Sequence, residues 1–349
     1  MKTAIPITST LEGLRVVAIG GGTGLSTLLR GLKRHVLSPT PTDPASPVPL
    51  VPYISRLTGI VTVTDDGGSS GRLRKELGVL PPGDIRNCMT ALSDDEELLA
   101  KLFRYRFTGG SGLEGHSFGN LFLTALAEIC GDFALAVKLS SAILKTRGEI
   151  YPSTGNNVQL DALMHNGRHV RGETNITASR SGIAHLSLVP PDAQPLPEAL
   201  EAIAEADLIT IGPGSLFTSC IPNLLVHGVP EAITRSAALR VYICNLMTQP
   251  NESTGLTASQ HIEAIFSHAG CKVFDYCMMN YAPVPQELRA RYAEDNSEPL
   301  HNDLDAIRAL GVTPLLGNYL DASHFARHAT DRITTDLLNL HARLQRSAS

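Results

Sequence analysis

The sequence predicts an α/β protein built on a doubly wound, mostly parallel sheet. Short apolar runs rich in β-branched residues, such as LRVVAI at 14–19 and ADLITI at 206–211, are typical of strands covered on both faces. Segments with apolar residues at helical spacing follow these runs, and this alternation indicates parallel strands joined by helices. We therefore expect a Rossmann-like sheet with a helical insertion and a small β-rich excursion.

The elements are predicted in chain order from these patterns. The predicted strands, helices and other segments are a strand at 14–19, a helix at 25–35, a strand at 57–64, a mostly helical region at 84–146, a β-rich region at 150–190, strands at 206–211, 240–245 and 273–280, and a helix at 257–270 with a threonine cap and a glycine stop. Six prolines in 38–52 block both helix and strand, so we interpret this segment as an exposed insertion. Tails at 1–13 and 336–349 are expected to flank a single domain at 14–335.

Composition narrows the class of protein. The 349 residues are enough for a substantial core, and the net charge of −5 gives no electrostatic reason to expect nucleic acid as a partner. No apolar run reaches the roughly 18 residues of a membrane span, and the N-terminus lacks a secretion signal. Six cysteines without CxxC spacing are expected to be buried thiols. These observations favour a cytoplasmic protein.

A glycine-rich turn follows the first predicted strand. Gly20, Gly21, Gly22, Thr23 and Gly24 precede a helix, whose first N–H groups are unpaired and whose dipole favours negative charge. We interpret the turn as a phosphate site, with an unliganded tight turn as the alternative. The spacing is neither GxGxxG nor GxxxxGK[ST], which disfavours a nicotinamide dehydrogenase and a P-loop nucleotidase.

The densest polar stretch, 64–87, follows the second predicted strand. Asp65 and Asp66 stand where such folds hold a ribose hydroxyl, or they could hold Mg²⁺ beside a diphosphate. Hydrogen-bond donors and positive charge for a phosphate would come from the next residues, Gly67, Gly68, Ser69, Ser70, Arg72 and Arg74. The alternative is a plain turn before a charged helix. Asp84 is either the cap of a helix beginning at Ile85 or a ligand-binding residue.

Further polar residues are predicted at other element ends. They are His116, Ser117 and Asn120 at a helix start, Gly212, Pro213, Gly214 and Ser215 in a second ligand loop with Thr218 and Ser219, Asn245 with Thr248, Gln249 and Asn251, and Asn280. Ligands of open parallel sheets bind beyond the carboxyl ends of the strands, where the strand order reverses. We expect the strand-end residues to meet there. His116 could equally be a structural hydrogen-bond partner.

Six motifs in the same order resemble the YvcK-like gluconeogenesis factor family, which is related to 2-phospho-L-lactate transferase (CofD). They are GGGTGLSTLLRGLK, VTDDGGSSGRLR, PPGDIRN, GHSFGNL, IGPGSLFTS and NLMTQPNES. The resemblance covers about 14–335 without the insertion. It implies a bacterial cytoplasmic protein that binds UDP-sugars such as UDP-N-acetylglucosamine and supports gluconeogenic growth, cell shape and wall synthesis, with no established reaction. It also suggests Tyr292 and Arg327 as nucleotide-sugar contacts.

The sequence therefore predicts a nucleotide-sugar-binding regulator that reports to a regulatory or cell-wall protein. The related transferase moves a phospholactyl group from a guanosine-diphosphate donor to a deazaflavin with Mg²⁺, so the alternative is a Mg²⁺-dependent transferase of that type. The DDGGSSGR and GHSFGN stretches differ from its pattern. An NAD-dependent oxidoreductase is supported only by the fold class. A homodimer is compatible with a sheet of this size.

Overall fold

Twelve strands are present in the computed structural model, which describes residues 13–37, 53–93, 98–322 and 325–348. In chain order they are β1 Leu14–Gly20, β2 Ile54–Val61, β3 Glu149–Pro152, β4 Gln159–Met164, β5 His169–Arg171, β6 Ile183–Val189, β7 Leu208–Ile211, β8 Leu239–Ile243, β9 Tyr276–Asn280, β10 Thr313–Gly317, β11 Leu320–Ala322 and β12 Ala326–His328. The predicted insertion at 38–52 and all but Gly13 of the predicted N-terminal tail lie outside the described residues.

The helices of the described residues connect and cover these strands. In chain order they are α1 Gly22–Leu32, α2 Gly68–Leu77, α3 Gly83–Leu92, α4 Leu98–Arg104, α5 Phe118–Cys130, α6 Phe133–Leu144, α7 Glu173–Ala178, α8 Pro197–Glu205, α9 Ile221–Leu224, α10 Val229–Arg235, α11 Ala258–Ala269, α12 Gln286–Glu294, α13 Leu304–Ala309 and α14 Thr330–Ala348. A 3₁₀ turn at Lys33–His35 extends α1, and a π-helical turn at Leu216–Cys220 precedes α9. None of the described helices is long and apolar enough to cross a membrane.

Seven strands form one sheet in the order β10-β9-β8-β7-β1-β2-β3, and every neighbouring pair is parallel. From β1 the chain moves outward through β2 to β3, and it later returns to β7 on the other side of β1. The order reverses between β1 and β7, which is the topological switch point of the sheet. The predicted doubly wound α/β fold is confirmed.

Hydrophobic cores lie on both faces of this sheet. Alternate residues of β1 enter different cores: Val17 and Ile19 belong to one cluster, whereas Val16 and Ala18 belong to the other. The second cluster includes the buried leucines of α1, which recur at helical spacing. A strand buried on both faces needs a continuous apolar run, which is why LRVVAI predicts β1 correctly.

The predicted helical region is mostly helical, and the predicted β-rich region contains both strands and a helix. The region at 84–146 contains α3 to α6, with an irregular stretch at 105–117. β4, β5 and β6 form a separate antiparallel sheet, but 173–178 is helix α7. Helix α7 begins after Gly172, whose φ of +88° ends the strand. The carboxylate of Asp66 accepts the N–H of Thr174 and satisfies a donor of the first turn.

Three predicted boundaries differ from the structure. The predicted C-terminal tail at 336–349 is wrong through residue 348, because α14 crosses the boundary and Ile333 and Leu337 are fully buried in the core shared with α1. β2 ends at Val61 and not at residue 64, since its partner β1 ends opposite at Gly20. β8 ends at Ile243, two residues before Asn245. The threonine cap and glycine stop of α11 are confirmed.

Candidate functional site

A cleft of about 630 Å³ lies at the carboxyl ends of β1, β7 and β8, over the topological switch point. Fourteen of the sequence-predicted residues line it: Gly21, Gly22, Thr23, Gly24, Asp65, Asp84, Pro213, Gly214, Ser215, Ser219, Asn245, Thr248, Gln249 and Tyr292. The remaining predicted residues are not part of its lining: Gly20, Asp66, Gly67, Gly68, Ser69, Ser70, Arg72, Arg74, His116, Ser117, Asn120, Gly212, Thr218, Asn251, Asn280 and Arg327. The switch point thus brings together predicted residues from six separate segments of the chain.

The first glycine turn exposes two backbone amides to the cleft. Helix α1 begins at Gly22, whose φ of +59° is unfavourable for any side chain. The Gly22 N–H donates to Asp84 Oδ2 at 2.7 Å, so this amide is already occupied. The N–H groups of Thr23 and Gly24 lack partners within the described part of the chain, as expected for a first helical turn.

The two glycine turns touch each other at Gly24. A Cβ atom on Gly24 would lie 2.3 Å from the carbonyl oxygen of Pro213 and 2.8 Å from Gly214 Cα. Such distances are far below contact, and both neighbours are backbone. Glycine is required here because the β1 and β7 turns approach each other to form one wall of the cleft.

The second glycine turn is closed by side chains of the chain itself. Glu252 Oε1 accepts the N–H groups of Phe217 and Thr218, at 2.7 and 3.2 Å, and Gln249 Oε1 accepts that of Leu216 at 3.3 Å. Asn245 Oδ1 accepts the Gly214 N–H at 3.4 Å. The second glycine turn lies beside the cleft, but its amides are largely satisfied internally, and its ligand-binding role stays a prediction.

Four carboxyl groups line the cleft, those of Asp65, Asp84, Glu173 and Asp295, and the environments of Asp84 and Glu173 favour the neutral form. Burial and, next, the charge of Asp65 raise the pKa of Asp84 to about 6, despite the opposing Gly22 hydrogen bond. Burial, followed by Asp65 and Asp84, raises the pKa of Glu173 to about 9. Protonation of Glu173 at neutral pH reduces the negative charge that an anionic ligand would meet.

Asp65 and Asp66 diverge, although they are adjacent in sequence. Asp65 lines the cleft and accepts the Gly67 N–H at 2.9 Å, whereas Asp66 Oδ1 accepts the Thr174 N–H and hydroxyl at 2.9 and 2.6 Å and lines another cavity. The pair therefore does not fit one Mg²⁺ ion. In the ranges that the structure describes, no group of three or more His, Cys, Asp or Glu residues could hold a metal ion.

The serine and asparagine motifs form a buried structural network beside the cleft. Ser69 Oγ lies 2.9 Å from His116 Nδ1 and accepts from Asn120 Nδ2 at 3.1 Å. Ser70 Oγ accepts the Gly83 N–H at 3.1 Å. These hydrogen bonds join α2, α3 and α5, but Asn120 Oδ1 is buried without a hydrogen-bond partner among the described residues. The ligand role of Ser69, Ser70 and Asn120 stays a prediction.

The side chains of two further predicted residues, Arg72 and Asp84, bond to the backbone of the protein itself. Arg72 is exposed and donates to the Glu114 carbonyl at 2.7 Å, away from the cleft. Asp84 lies inside the first turn of α3, which starts at Gly83, so it does not cap that helix and instead caps α1 through Gly22.

Of the two C-terminal candidates, Tyr292 lines the cleft and Arg327, on β12, does not. Tyr292 lines the cleft, and its hydroxyl accepts the Ala326 N–H at 3.2 Å. Ala326 and His328 also line the cleft, whereas Arg327 faces outward with its guanidinium 5.6 Å from the Phe325 ring centre. Successive strand residues face opposite sides, so Arg327 cannot share the orientation of its neighbours.

Several cleft residues have no signal in the sequence. Glu173, Ser297 and His328 line the cleft from segments remote from the glycine turns. Glu173 lies in a stretch predicted as strand, and His328 lies beside a residue chosen by resemblance. Only the packing of α7 and the β11–β12 hairpin over the sheet brings them to the cleft.

The sequence is similar to a family of known proteins over most of its length. The family model of 2-phospho-L-lactate transferase CofD matches residues 16–320. The chain is 47% identical over 330 residues to a putative gluconeogenesis factor of Nostoc sp., covering 94% of this chain and 68% of that protein. It is 42% identical over 327 residues to the gluconeogenesis factor of Bacillus subtilis, covering 93% of this chain and 98% of the relative.

A solved structure shows the same architecture. The crystal structure of a Bacillus halodurans protein aligns with a TM-score of 0.86 at 44% sequence identity, covering 94% of this chain and 100% of that chain. A second crystal structure from that organism, described as a member of the UPF0052 family, gives the same TM-score and identity and covers 99% of its own chain.

Proposed function

This chain belongs to the CofD and gluconeogenesis factor family, and from that membership we propose that it is a nucleotide-sugar-binding regulatory protein. The proposed ligand class is UDP-sugars of the UDP-N-acetylglucosamine type. The proposed role is support of growth on gluconeogenic carbon sources, as the names of its relatives suggest, together with maintenance of cell shape through a regulatory or cell-wall protein partner.

The observation that carries this proposal is the cleft over the switch point with two bare amides at a helix start. The unpaired N–H groups of Thr23 and Gly24 lie at the N-terminus of α1, the positive end of the helix dipole. This end of a helix favours the binding of a phosphate group. The volume of about 630 Å³ is that of a site for a drug-sized or cofactor-sized molecule. Asn245, Thr248 and Tyr292 offer amide, hydroxyl and aromatic contacts for the base or sugar.

Calorimetry and product analysis together test the proposal. Titration with UDP-N-acetylglucosamine, UDP-glucose and NAD is expected to show preferential binding of a UDP-sugar. Mass spectrometry of the nucleotide pool after incubation is expected to recover the ligand unchanged. Preferential NAD binding, or the absence of UDP-sugar binding, would overturn the proposed ligand class.

A second candidate function is group transfer from a nucleotide-diphosphate donor. The CofD match and the carboxyl groups of Asp65, Asp84 and Glu173 in the cleft favour it. It predicts that the donor is lost only when Mg²⁺ and a suitable acceptor are both supplied. Turnover in that assay would replace the regulatory proposal, whereas an unchanged donor across an acceptor panel would support it.

Tyr292→Ala is expected to weaken UDP-sugar binding by about tenfold, because aromatic contacts with a base contribute on the order of 1–3 kcal/mol. Arg327→Ala is the matched control on the outer side of β12 and is expected to change the dissociation constant less than twofold, roughly the scatter of exposed-charge effects. The measurement is calorimetry on both variants. A dissociation constant of Tyr292→Ala no weaker than that of Arg327→Ala, with both close to the wild-type value, would place the nucleotide outside the Tyr292 side of the cleft.

UDP-sugar affinity is expected to fall as pH rises from 6 to 9, since Asp84 and Glu173 lose protons over that range and the cleft becomes more negative. The diphosphate of a UDP-sugar stays ionised throughout, so the change reports on the protein. Dissociation constants across this pH range provide the measurement. The double variant Asp84→Asn, Glu173→Gln should flatten the profile, and an equally steep profile in that variant would contradict the assignment.

A further inference from the structure

A second cavity of about 610 Å³ lies on the other side of the Asp65–Asp66 segment. It lies between helix α2, helix α7 and the start of β4. Its polar lining includes Asp66, Arg74, Lys75, Asn157, Thr174 and Asn175. The polar motif at 64–87 predicted ligand roles for Asp66 and Arg74, but both lie in this cavity and outside the proposed nucleotide site, which therefore does not account for these polar side chains.

Arg74 is the unusual group in this cavity. It is only 8% exposed, yet within the described residues no carboxylate lies at ion-pair distance from it. Its Nη2 donates to Asn157 Oδ1 at 2.6 Å and to the Val158 carbonyl, both neutral acceptors, and its Nη1 has no hydrogen-bond partner. Buried charges are normally paired, because burial removes their hydration.

No carboxylate of the described residues pairs directly with this cation, although Asp66 and, next, Asp65 attract it. Asp66 attracts the guanidinium, but its Oδ1 is already held by the backbone and hydroxyl of Thr174. Lys75 is exposed at the rim and adds a second positive charge. The lining therefore has one more positive than negative group, and the amide side chains of Asn157 and Asn175 add both donors and acceptors.

We propose that this cavity is a binding site for a small anionic metabolite whose carboxylate or phosphate group pairs with Arg74 and Lys75. The planar guanidinium suits either anion, and the surrounding amides suit a hydroxylated ligand. This is a second site, separate from the nucleotide cleft, and it would be available to an effector.

The second cavity and the cleft are lined by adjacent residues of two backbone segments. Asp65 faces the cleft and Asp66 the second cavity, and likewise Glu173 lines the cleft while the next residue, Thr174, lines the cavity. The bonds from Thr174 to Asp66 tie these segments together. Anion binding that shifts either segment changes both sites, so the anion affects UDP-sugar affinity.

Calorimetry on the full chain, without nucleotide, tests the site directly with inorganic phosphate, succinate and glucose 6-phosphate as probes. At least one probe is expected to bind in the millimolar range or tighter, and the probe that binds identifies the anion type. Arg74→Met should weaken that binding by at least about tenfold and Lys75→Met by about threefold, the larger loss falling on the buried charge. Lys138→Met, an exposed lysine on α6 outside the cavity, is the matched control and should bind like the wild type.

Lys75→Met keeps the test decisive if Arg74→Met fails to fold, because Lys75 is exposed and surface substitutions usually change stability little. No binding of any probe, or binding that neither Lys75→Met nor a folded Arg74→Met alters, would overturn the proposal, since unaltered binding would belong to the cleft. The coupling is read separately as a change in UDP-sugar dissociation constant when the anion is present. If the cleft binds no UDP-sugar, the direct titration still decides the second site.

Discussion

Gly24→Ala is expected to weaken UDP-sugar binding by about a hundredfold, as misplacement of a site by about 1 Å can do. The added Cβ would lie 2.3 Å from the Pro213 carbonyl oxygen and 2.7 Å from its carbonyl carbon. Both atoms are backbone, so the β1 and β7 turns must separate. Overpacking of this kind should also lower the free energy of unfolding by about 2 kcal/mol. Calorimetry and denaturant unfolding measure the two effects independently.

Gly109→Ala provides the matched control for Gly24. A Cβ on Gly109 meets nothing within 4 Å, and its φ lies outside the left-handed region. This variant should match the wild type in both measurements. A Gly24→Ala protein with unchanged stability and affinity would show that the contact between the two glycine turns does not shape the cleft.

Glu252→Ala is expected to lower the free energy of unfolding by about 3 kcal/mol, because it leaves two buried backbone N–H groups without an acceptor. These are the N–H groups of Phe217 and Thr218 at the start of the π-helical turn. Glu252→Gln retains an oxygen acceptor and should lose much less. Urea unfolding of both variants provides the measurement, and equal losses would mean that the hydrogen bonds do not stabilise the turn.

The pH dependence of stability separates the charge of Glu252 from its hydrogen bonds. Burial raises its pKa from 4.5 to about 7, in opposition to the hydrogen bonds from Phe217 and Thr218. The folded protein therefore binds more protons than the unfolded chain between these values, and the contribution of Glu252 to stability falls as pH rises from 4.5 to 7. The glutamine variant should gain stability relative to wild type over this range by about 3 kcal/mol. A constant difference would contradict a buried, titrating Glu252.

Local patterns predict the fold well because each depends on a few neighbouring residues. The apolar run at 14–19 must be covered on both faces, and the threonine and glycine that flank α11 end that helix by local hydrogen bonds and backbone conformation. The C-terminal helix shows where this approach failed. Leu337 and Leu340 follow Ile333 at helical spacing and lie beyond the assigned boundary at residue 335, so the signal was present in the sequence.

The candidate site could be predicted as a location but not as a set of contacts. Glycine turns at the ends of β1 and β7 meet because those strands are parallel neighbours at the switch point. The sequence spacing of Asp65 and Asp66, however, suggested one shared role. Their side chains diverge because Thr174, 108 residues from Asp66, binds only the latter.

By itself, the sequence determined the parallel sheet, the positions of its glycine turns and the edge at which a ligand would bind, since short-range periodicity and strand order suffice for these. Only the tertiary structure decided which amides are bare. Asp84, 62 residues from Gly22 along the chain, occupies the first amide of one turn, and Glu252 occupies two amides of the other. Hydrogen-bond donors are satisfied by whichever acceptor the packing brings near, and that choice depends on the whole folded chain.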